Sequence, residues 1–150
     1  GLAAEGLRVL FELGVVDGVP DASAAARAAA EHPGAVAAQL RPHPPIADGR
    51  AAALAGATAM IDLSDGLAID ARRIARASGV AVDLVGVTGL ELTGGEDHSL
   101  LATFPAEALL PAGFRAIGVV RDGEGLFSDG VPFESRGGWD PYEGWDGAAG

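Results

Sequence analysis

Apolar positions in the first third of the chain recur every three to four residues, the spacing of an amphipathic helix. Four helices are predicted there, over residues 2–13, 21–31, 35–40 and 48–55. Gly14 is a suitable end for the first, while Asp21 or Ser23 caps the second and Pro33 ends it. The Pro-rich segment 41–45 is predicted to be an extended linker, because each Pro disfavours helical backbone in the residue before it.

From residue 57 onward, short apolar runs alternate with helical patterns. Strands are predicted over residues 57–63, 80–85, 99–104, 114–120 and 126–128, with apolar and polar positions alternating in 80–85. Helices are predicted over residues 65–78 and 105–110, the second with Pro at its start. Helices that alternate with strands predict a sheet covered by helices.

The predicted helix 65–78 has two distinct faces. Its apolar face, expected to be buried, carries Leu67, Ala71, Ile74 and Ala75. Its other side, expected to be exposed, carries Asp70, Arg72, Arg73 and Arg76. Asp70 and Arg73 are three residues apart and are therefore spaced to form an ion pair.

Composition narrows the possible functions. The chain has 150 residues, of which 49% are hydrophobic and 21% charged, so it is long and apolar enough for one folded domain. Its net charge of −11 disfavours nucleic acid and anionic membranes as partners. All ten basic residues are Arg, which excludes a phosphate-binding lysine and Schiff-base chemistry. The absence of Cys excludes disulfides, zinc–thiolate sites and a cysteine nucleophile.

The N-terminal pattern indicates neither a secretory signal nor a membrane span. Glu5, Arg8 and Glu12 interrupt the apolar positions of the first helix. The longest uncharged apolar run, residues 51–61, is shorter than the roughly 20 residues that a membrane-spanning helix needs. A cytoplasmic location is therefore predicted. The chain starts directly in a helical pattern without Met, so we expect it to be part of a longer protein.

The main candidate for chemistry is the turn between the predicted strand 57–63 and the helix after it. Asp62, Ser64 and Asp65 lie there, and carboxylates with a helix N-terminus suit Mg²⁺ and a phosphate. The alternative is helix punctuation, with Ser64 as the N-cap and Asp65 in the first turn. Asp62 favours the functional interpretation, because a carboxylate at the end of an apolar strand is costly to bury without a partner.

A second candidate is the glycine-rich turn Gly94-Gly95-Glu96-Asp97. Adjacent glycines permit unusual backbone angles and close approach of a ligand. The alternative is an ordinary tight turn with solvated acids. His98 adjoins this turn, and a structural role is predicted for it.

The last dozen residues contain both Trp residues and the single Tyr of the chain, Trp139, Tyr142 and Trp145. Their surroundings are polar and rich in glycine, so we expect no hydrophobic core there. Aromatic faces beside acids suit a flat cationic ligand. The alternative is that this tail packs onto the body of the domain.

Taken in order, these segments resemble a known family. Residues 59–67, the segment 70–75, Leu92-Thr93-Gly94-Gly95-Glu96-Asp97 and Gly138-Trp139-Asp140 together resemble the C-terminal half of thiamine-monophosphate kinase. That family belongs to the aminoimidazole ribonucleotide synthetase superfamily. The resemblance implies an α+β fold, a mixed β-sheet with packed helices like the C-terminal domain of that synthetase. It also implies that residues 1–150 form a single domain and that an N-terminal domain with further ATP and metal contacts is absent.

The resemblance also implies an activity, the transfer of the γ-phosphoryl group of ATP to thiamine phosphate with Mg²⁺, which gives thiamine diphosphate. Asp62 and Asp65 match Mg²⁺ ligands of the family, and Ser64 matches an ATP contact. Glu96 matches a contact to the substrate thiamine phosphate, and Tyr142, with Trp139 beside it, matches a second one. No catalytic residue beyond the metal ligands is implied. Family members are homodimers that pair through their N-terminal domains.

The sequence departs from the family pattern in three further places. Residues 85–92 form a shorter interval than expected, so a segment is predicted to be missing there. Pro45 stands where Arg is common, and Pro141 stands where His is common. Two alternatives remain open: a related ATP-dependent synthetase or maturation protein of the superfamily, and a domain that binds thiamine phosphates without catalysis.

Overall fold

The fold was analysed in a computed structural model of the chain, which describes residues 1–138. The four predicted N-terminal helices are confirmed, the first with the predicted ends and the other three with ends shifted by one or two residues. They are α1 (Leu2–Leu13), α2 (Ala22–Glu31), α3 (Pro33–Leu40) and α4 (Ile46–Leu54). The side chain of Asp21 caps α2 by accepting a hydrogen bond of 2.6 Å from the Ala24 N–H. Pro33 begins α3, where the N–H that it lacks would have no helical partner.

A short hairpin between α1 and α2 was not predicted. Its strands are β1 (Val15–Val16) and β2 (Val19–Pro20), which pair antiparallel. Asp17 and Gly18 form the connection with positive φ angles of 51° and 77°. Asp-Gly is a strong signal for such a two-residue turn, so this hairpin was readable from the sequence.

The remaining strands form a two-stranded and a four-stranded sheet. β3 (Ala59–Leu63) pairs antiparallel with β5 (Ser99–Thr103). The larger sheet has the order β6-β4-β7-β8, built from β4 (Ala81–Leu84), β6 (Gly118–Arg121), β7 (Gly125–Ser128) and β8 (Val131–Pro132). β4 and β7 are parallel, and the other neighbours are antiparallel. The predicted α+β fold with a mixed sheet is thus confirmed.

The central helix α5 (Leu67–Ser78) packs its apolar face into the main core. All four residues predicted for that face are buried, and three of them, Leu67, Ala71 and Ala75, share a core cluster with Val82, Leu84 and Leu126 of the large sheet. Gly79 ends the helix in the left-handed conformation, at φ 62°. A smaller cluster of Val9, Ala28 and Val36 joins α1, α2 and α3.

Three predictions about these elements are wrong. Asp70, expected on the exposed side of α5, is completely buried. β4 does not alternate, because all four of its residues are buried in the centre of the sheet beneath α5. Residues 105–110 contain a turn but no helix. Conversely, the short helix α6 (Leu90–Thr93) was not predicted.

Within residues 1–138, none of the helices combines the length and the apolar character that crossing a membrane requires.

Candidate functional site

The turn between β3 and α5 does not use Ser64 as a helix cap. The N-cap of α5 is Gly66, with φ 118°, so no N-cap side chain accepts a hydrogen bond at the start of this helix. Ser64 and Asp65 therefore precede the helix, in a turn whose path depends on a glycine. The helix-punctuation interpretation of this pair is wrong, which leaves both side chains without a capping role.

The glycine-rich turn is hydrogen-bonded directly to this first turn. The Glu96 N–H donates to the Ser64 carbonyl oxygen at 2.8 Å, and the His98 N–H donates to the Leu63 carbonyl oxygen at 2.9 Å. The β3–β5 ladder continues from this point, with Leu63 opposite Ser99. Two segments that are about thirty residues apart in sequence are therefore side by side in the structure.

Glycines permit the close contact between the two turns. A Cβ atom at Gly95 would lie 2.6 Å from the Ser64 carbonyl oxygen, closer than real Cβ atoms come to another backbone. Glu96 and His98 both have positive φ, at 66° and 49°. Such angles are unfavourable for residues other than glycine, and they concentrate where function constrains the backbone.

A third segment, residues 133–138, reaches the same place. A Cβ atom at Gly138 would overlap the Asp65 carbonyl oxygen, so the two backbones are in contact there. Arg72 holds the segment by donating to the carbonyl oxygens of Phe133, Ser135 and Arg136, the last at 2.6 Å. Its guanidinium also lies over the Phe133 ring, 5.4 Å from the centroid.

The aromatic candidates follow this third segment. Trp139 and Tyr142, predicted to contact substrate, lie outside the described residues. Gly138, immediately before Trp139, is in backbone contact with Asp65. The role of Arg72 in holding residues 133–136 was missed, and no signal in the sequence indicates that an arginine of α5 faces backbone carbonyls.

The two candidate metal ligands have different surroundings. Asp62 is exposed on β3, which contradicts the expectation that this carboxylate is buried. Asp65 is mostly buried, with 16% of its side chain exposed, and its Oδ2 lies 2.6 Å from Nη1 of Arg73. The same Arg73 nitrogen lies 2.6 Å from Oδ1 of Asp70, which confirms the predicted Asp70–Arg73 pair.

Asp70 connects the helix to the turn. Its Oδ2 accepts a hydrogen bond of 3.3 Å from the Asp65 N–H. Burial raises the pKa of the Asp70 carboxyl above its ordinary value, although the bond from Arg73 opposes the shift. The bond between Arg73 and Asp65 raises the pKa of the Arg73 guanidinium, with Asp70 adding to the effect. Beyond the single Asp70–Arg73 pair, this three-residue network was not predicted from the sequence.

Glu96 and its neighbours complete the site. The Glu96 side chain is 57% exposed, and its carboxylate lies 3.5 Å from Nε2 of His98. Asp97 points the other way and accepts a hydrogen bond of 3.0 Å from the Ala3 N–H at the start of α1. Glu96 is thus the acid of this turn that is open to a ligand.

A Mg²⁺ site at Asp62 and Asp65 stays a prediction. No group of three or more His, Cys, Asp or Glu residues in the described part of the chain could hold a metal ion. Mg²⁺ usually takes one or two carboxylates and completes its shell with water and substrate phosphates. In number and type, the carboxylates of Asp62 and Asp65 match that pattern.

Comparison with known proteins gives a consistent result. No protein-family model matches the chain. Thiamine-monophosphate kinase from Mycobacterium tuberculosis (strain CDC 1551 / Oshkosh) is 42% identical over 124 residues, which cover 69% of this chain and 37% of that enzyme.

Two solved structures are similar in fold. The crystal structure of thiamine monophosphate kinase from Aquifex aeolicus has a TM-score of 0.68 at 26% identity, covering 89% of this chain and 48% of that one. A structure of AaThiL complexed with AMPPCP and TMP has a TM-score of 0.67 at 27% identity, covering 91% and 47%. The chain thus spans about half the length of these solved relatives and 37% of the Mycobacterium enzyme.

The alignment also indicates residues that this chain lacks. It runs over 124 residues of the Mycobacterium enzyme, whereas 69% of 150 residues is about 104. About 20 positions of that enzyme therefore have no counterpart here. In the structure five residues, 85–89, connect β4 to α6. The location of the missing segment in this interval stays a prediction.

Proposed function

This chain is homologous to thiamine-monophosphate kinase over part of that enzyme's length, and on this premise we propose that it provides part of a site that phosphorylates thiamine phosphate from ATP. The observation that carries the proposal is the convergence of three segments. The backbones of the glycine-rich turn and of Gly138 both contact residues 64–65, next to the N-terminus of α5. A nucleotide phosphate, a cation and a second substrate would have to meet in such a place.

Each candidate residue has a proposed role. Asp62 and Asp65 would hold Mg²⁺, and Ser64 would contact the nucleotide. Glu96 would bind the cationic thiazolium ring of thiamine phosphate, together with Tyr142 and Trp139. The complex of AaThiL with AMPPCP, an ATP analogue, and TMP supports this ligand pair, because that protein shares the fold.

The proposed reaction is a direct in-line transfer, without a phosphorylated protein intermediate. Phosphoryl transfer depends mainly on positioning and on neutralisation of charge. Mg²⁺, when bound, would supply the charge neutralisation at the phosphates. The chain itself would orient the ligand-binding side chains. The contacts of Gly95 and Gly138 position the turn that carries Asp65, and the hydrogen bond to the Ser64 carbonyl positions the backbone of Glu96.

The rest of the site is proposed to lie in an N-terminal domain, through which two copies would pair as a homodimer. The chain spans 37% of its Mycobacterium relative, which leaves room for such a domain. We propose that residues 1–150 form the C-terminal half of such a two-domain kinase and that the kinase acts in the cytoplasm.

A second candidate function is binding of thiamine phosphates without catalysis. It is favoured by one observation, the ion pair between Arg73 and the proposed metal ligand Asp65. A related synthetase of the superfamily is less favoured, because the relatives reported above are thiamine-monophosphate kinases.

A variant assay on the full natural chain tests the proposal. Thiamine diphosphate is measured with ATP, Mg²⁺ and thiamine phosphate for the parent, for Asp65→Asn and for the control Asp122→Asn on the exposed β6–β7 connection. We expect Asp65→Asn to lower kcat on the order of 100-fold, as for loss of a charge-stabilising group in a site. Unchanged turnover in Asp65→Asn would remove Asp65 from the site, and binding without product in the parent would favour the non-catalytic function.

A further inference from the structure

One arginine nitrogen in this site serves two carboxylates. Nη1 of Arg73 lies 2.6 Å from Oδ2 of Asp65 and 2.6 Å from Oδ1 of Asp70. The two acids differ in freedom. Asp70 lies within α5 with no exposed surface, whereas Asp65 is on the turn before the helix and keeps 16% of its side chain exposed. Asp65 is therefore the partner that Arg73 is able to give up.

Asp70 is held firmly without Asp65's side chain. It accepts from the Asp65 N–H at 3.3 Å as well as from Arg73. A buried carboxylate that lost its guanidinium would be strongly destabilised, so the Arg73–Asp70 pair is expected to persist. The bond from Arg73 to Asp65 carries no such constraint.

A divalent cation at Asp65 would compete with Arg73. A cation bound to Oδ2 of Asp65 would need the position that the Arg73 guanidinium occupies. A cation bound to Oδ1 would lie across the same carboxylate from the guanidinium, and the two positive charges would repel each other. Space for a displaced guanidinium is available. Arg73 also lines a groove of about 620 Å³ beside α5, whose other charged lining residues are Arg72, Arg76, Glu124 and Arg136.

We propose that Arg73 is a built-in counter-ion of Asp65 that gives up this carboxylate, but keeps Asp70, when a divalent cation binds. This inference rests on the proposed function only in that Asp65 is taken as a cation ligand. It makes the affinity for the cation a balance between the metal and an arginine of the same chain.

The test measures Mn²⁺ binding by isothermal titration calorimetry in the full natural chain, without nucleotide. The variants are Arg73→Gln and the matched control Arg76→Gln, one helical turn further along the same groove. In the described part of the chain, Arg76 makes no ion pair, so its substitution reports the general effect of removing one positive charge. Circular dichroism checks the folding of each variant.

We expect Arg73→Gln to lower the Kd for Mn²⁺ about fivefold or more, the lower range of ordinary coupling between sites. Arg76→Gln should change it far less, and adding Asp65→Asn to Arg73→Gln should abolish the gain. If Arg73→Gln does not fold, Arg73→Lys replaces it, because the ammonium keeps a positive charge beside the buried Asp70 but lacks the rigid planar geometry of the guanidinium. A smaller decrease in Kd is then expected.

Two results would overturn the inference while leaving the proposed function intact. One is an unchanged or weaker Mn²⁺ affinity in a folded Arg73→Gln or Arg73→Lys protein, which would make Arg73 a structural support alone. The other is an equal gain in Arg76→Gln, which would show a general charge effect. If neither parent nor Arg73 variants bind Mn²⁺, both the inference and the metal role of Asp65 fail, and the turnover assay then decides the function separately.

Discussion

Substitution of Gly95 by Ala probes the contact between the two turns. The new Cβ would lie 2.6 Å from the Ser64 carbonyl oxygen, and both groups belong to backbone that other bonds hold in place. The turns would have to separate, which strains the packing by about 1–3 kcal/mol. Separation would also weaken the 2.8 Å bond from the Glu96 N–H to that carbonyl, a loss of about 1 kcal/mol.

The sum for Gly95→Ala is a destabilisation of roughly 2–4 kcal/mol, measured as the free energy of unfolding in urea. Turnover should fall as well, because Glu96 and Ser64 would lose their relative positions. Gly34→Ala is the control, since Gly34 lies in α3 with nothing within 4 Å of its new Cβ. That variant should be more stable by about 0.5–1 kcal/mol. A Gly95→Ala protein as stable and active as the parent would refute the close approach of the turns.

Three further predictions concern single side chains. Arg72→Ala should cost about 2 kcal/mol of unfolding free energy through the loss of its bonds to backbone carbonyls, and Arg76→Ala, the control, should stay within about 0.5 kcal/mol of the parent. Glu96→Gln should raise the KM for thiamine phosphate roughly fivefold at constant kcat, because an exposed charge contributes only modestly to binding. The control Glu91→Gln on α6 should leave the KM unchanged. An unchanged KM in Glu96→Gln would remove Glu96 from the substrate contacts. Because burial raises the pKa of Asp70, the stabilisation from its proton uptake is complete below the unfolded pKa of about 3.9 and is lost as pH rises through the folded pKa. The unfolding free energy of the parent minus that of Asp70→Asn should therefore decrease with rising pH in urea titrations, and an increase would contradict the direction of the shift.

The sequence predicted the elements best where a repeating pattern spans several turns. The predicted helices 2–13 and 65–78 correspond closely to α1 and α5, because long amphipathic patterns leave few alternatives. Residues 105–110 show why short patterns fail. Pro at the start of these six residues suits the first turn of a helix. The few hydrogen bonds of so short a helix do not offset the free-energy cost of nucleation without tertiary contacts.

Errors about burial have a common physical origin, since periodicity describes one segment and burial depends on its neighbours. β4 is covered because it lies between β6 and β7 with α5 packed on it, and nothing within residues 80–85 encodes those neighbours. Asp70 is buried because Arg73 and the Asp65 N–H satisfy its oxygens. Its spacing to Arg73 predicted the pair correctly, yet the same spacing is typical of exposed pairs.

For the candidate site, the sequence identified the segments but not their contact. Asp65 and Glu96 each stood out by local composition. Their proximity follows from the register of β3 and β5, in which Leu63 faces Ser99, and register is a property of the folded sheet. Gly95 was predicted to be a permissive position, whereas the backbone that Gly95 and Gly138 each approach was not predicted.

The most direct test of the account is a product assay for the full natural chain, with ATP, thiamine phosphate and Mg²⁺, and with Asp62→Asn in parallel. Asp62 is the exposed acid of the proposed metal pair, so its substitution disturbs folding least. We expect thiamine diphosphate from the parent and a loss of turnover on the order of 100-fold in the variant. A folded parent that binds both substrates but yields no thiamine diphosphate at any Mg²⁺ concentration would contradict it.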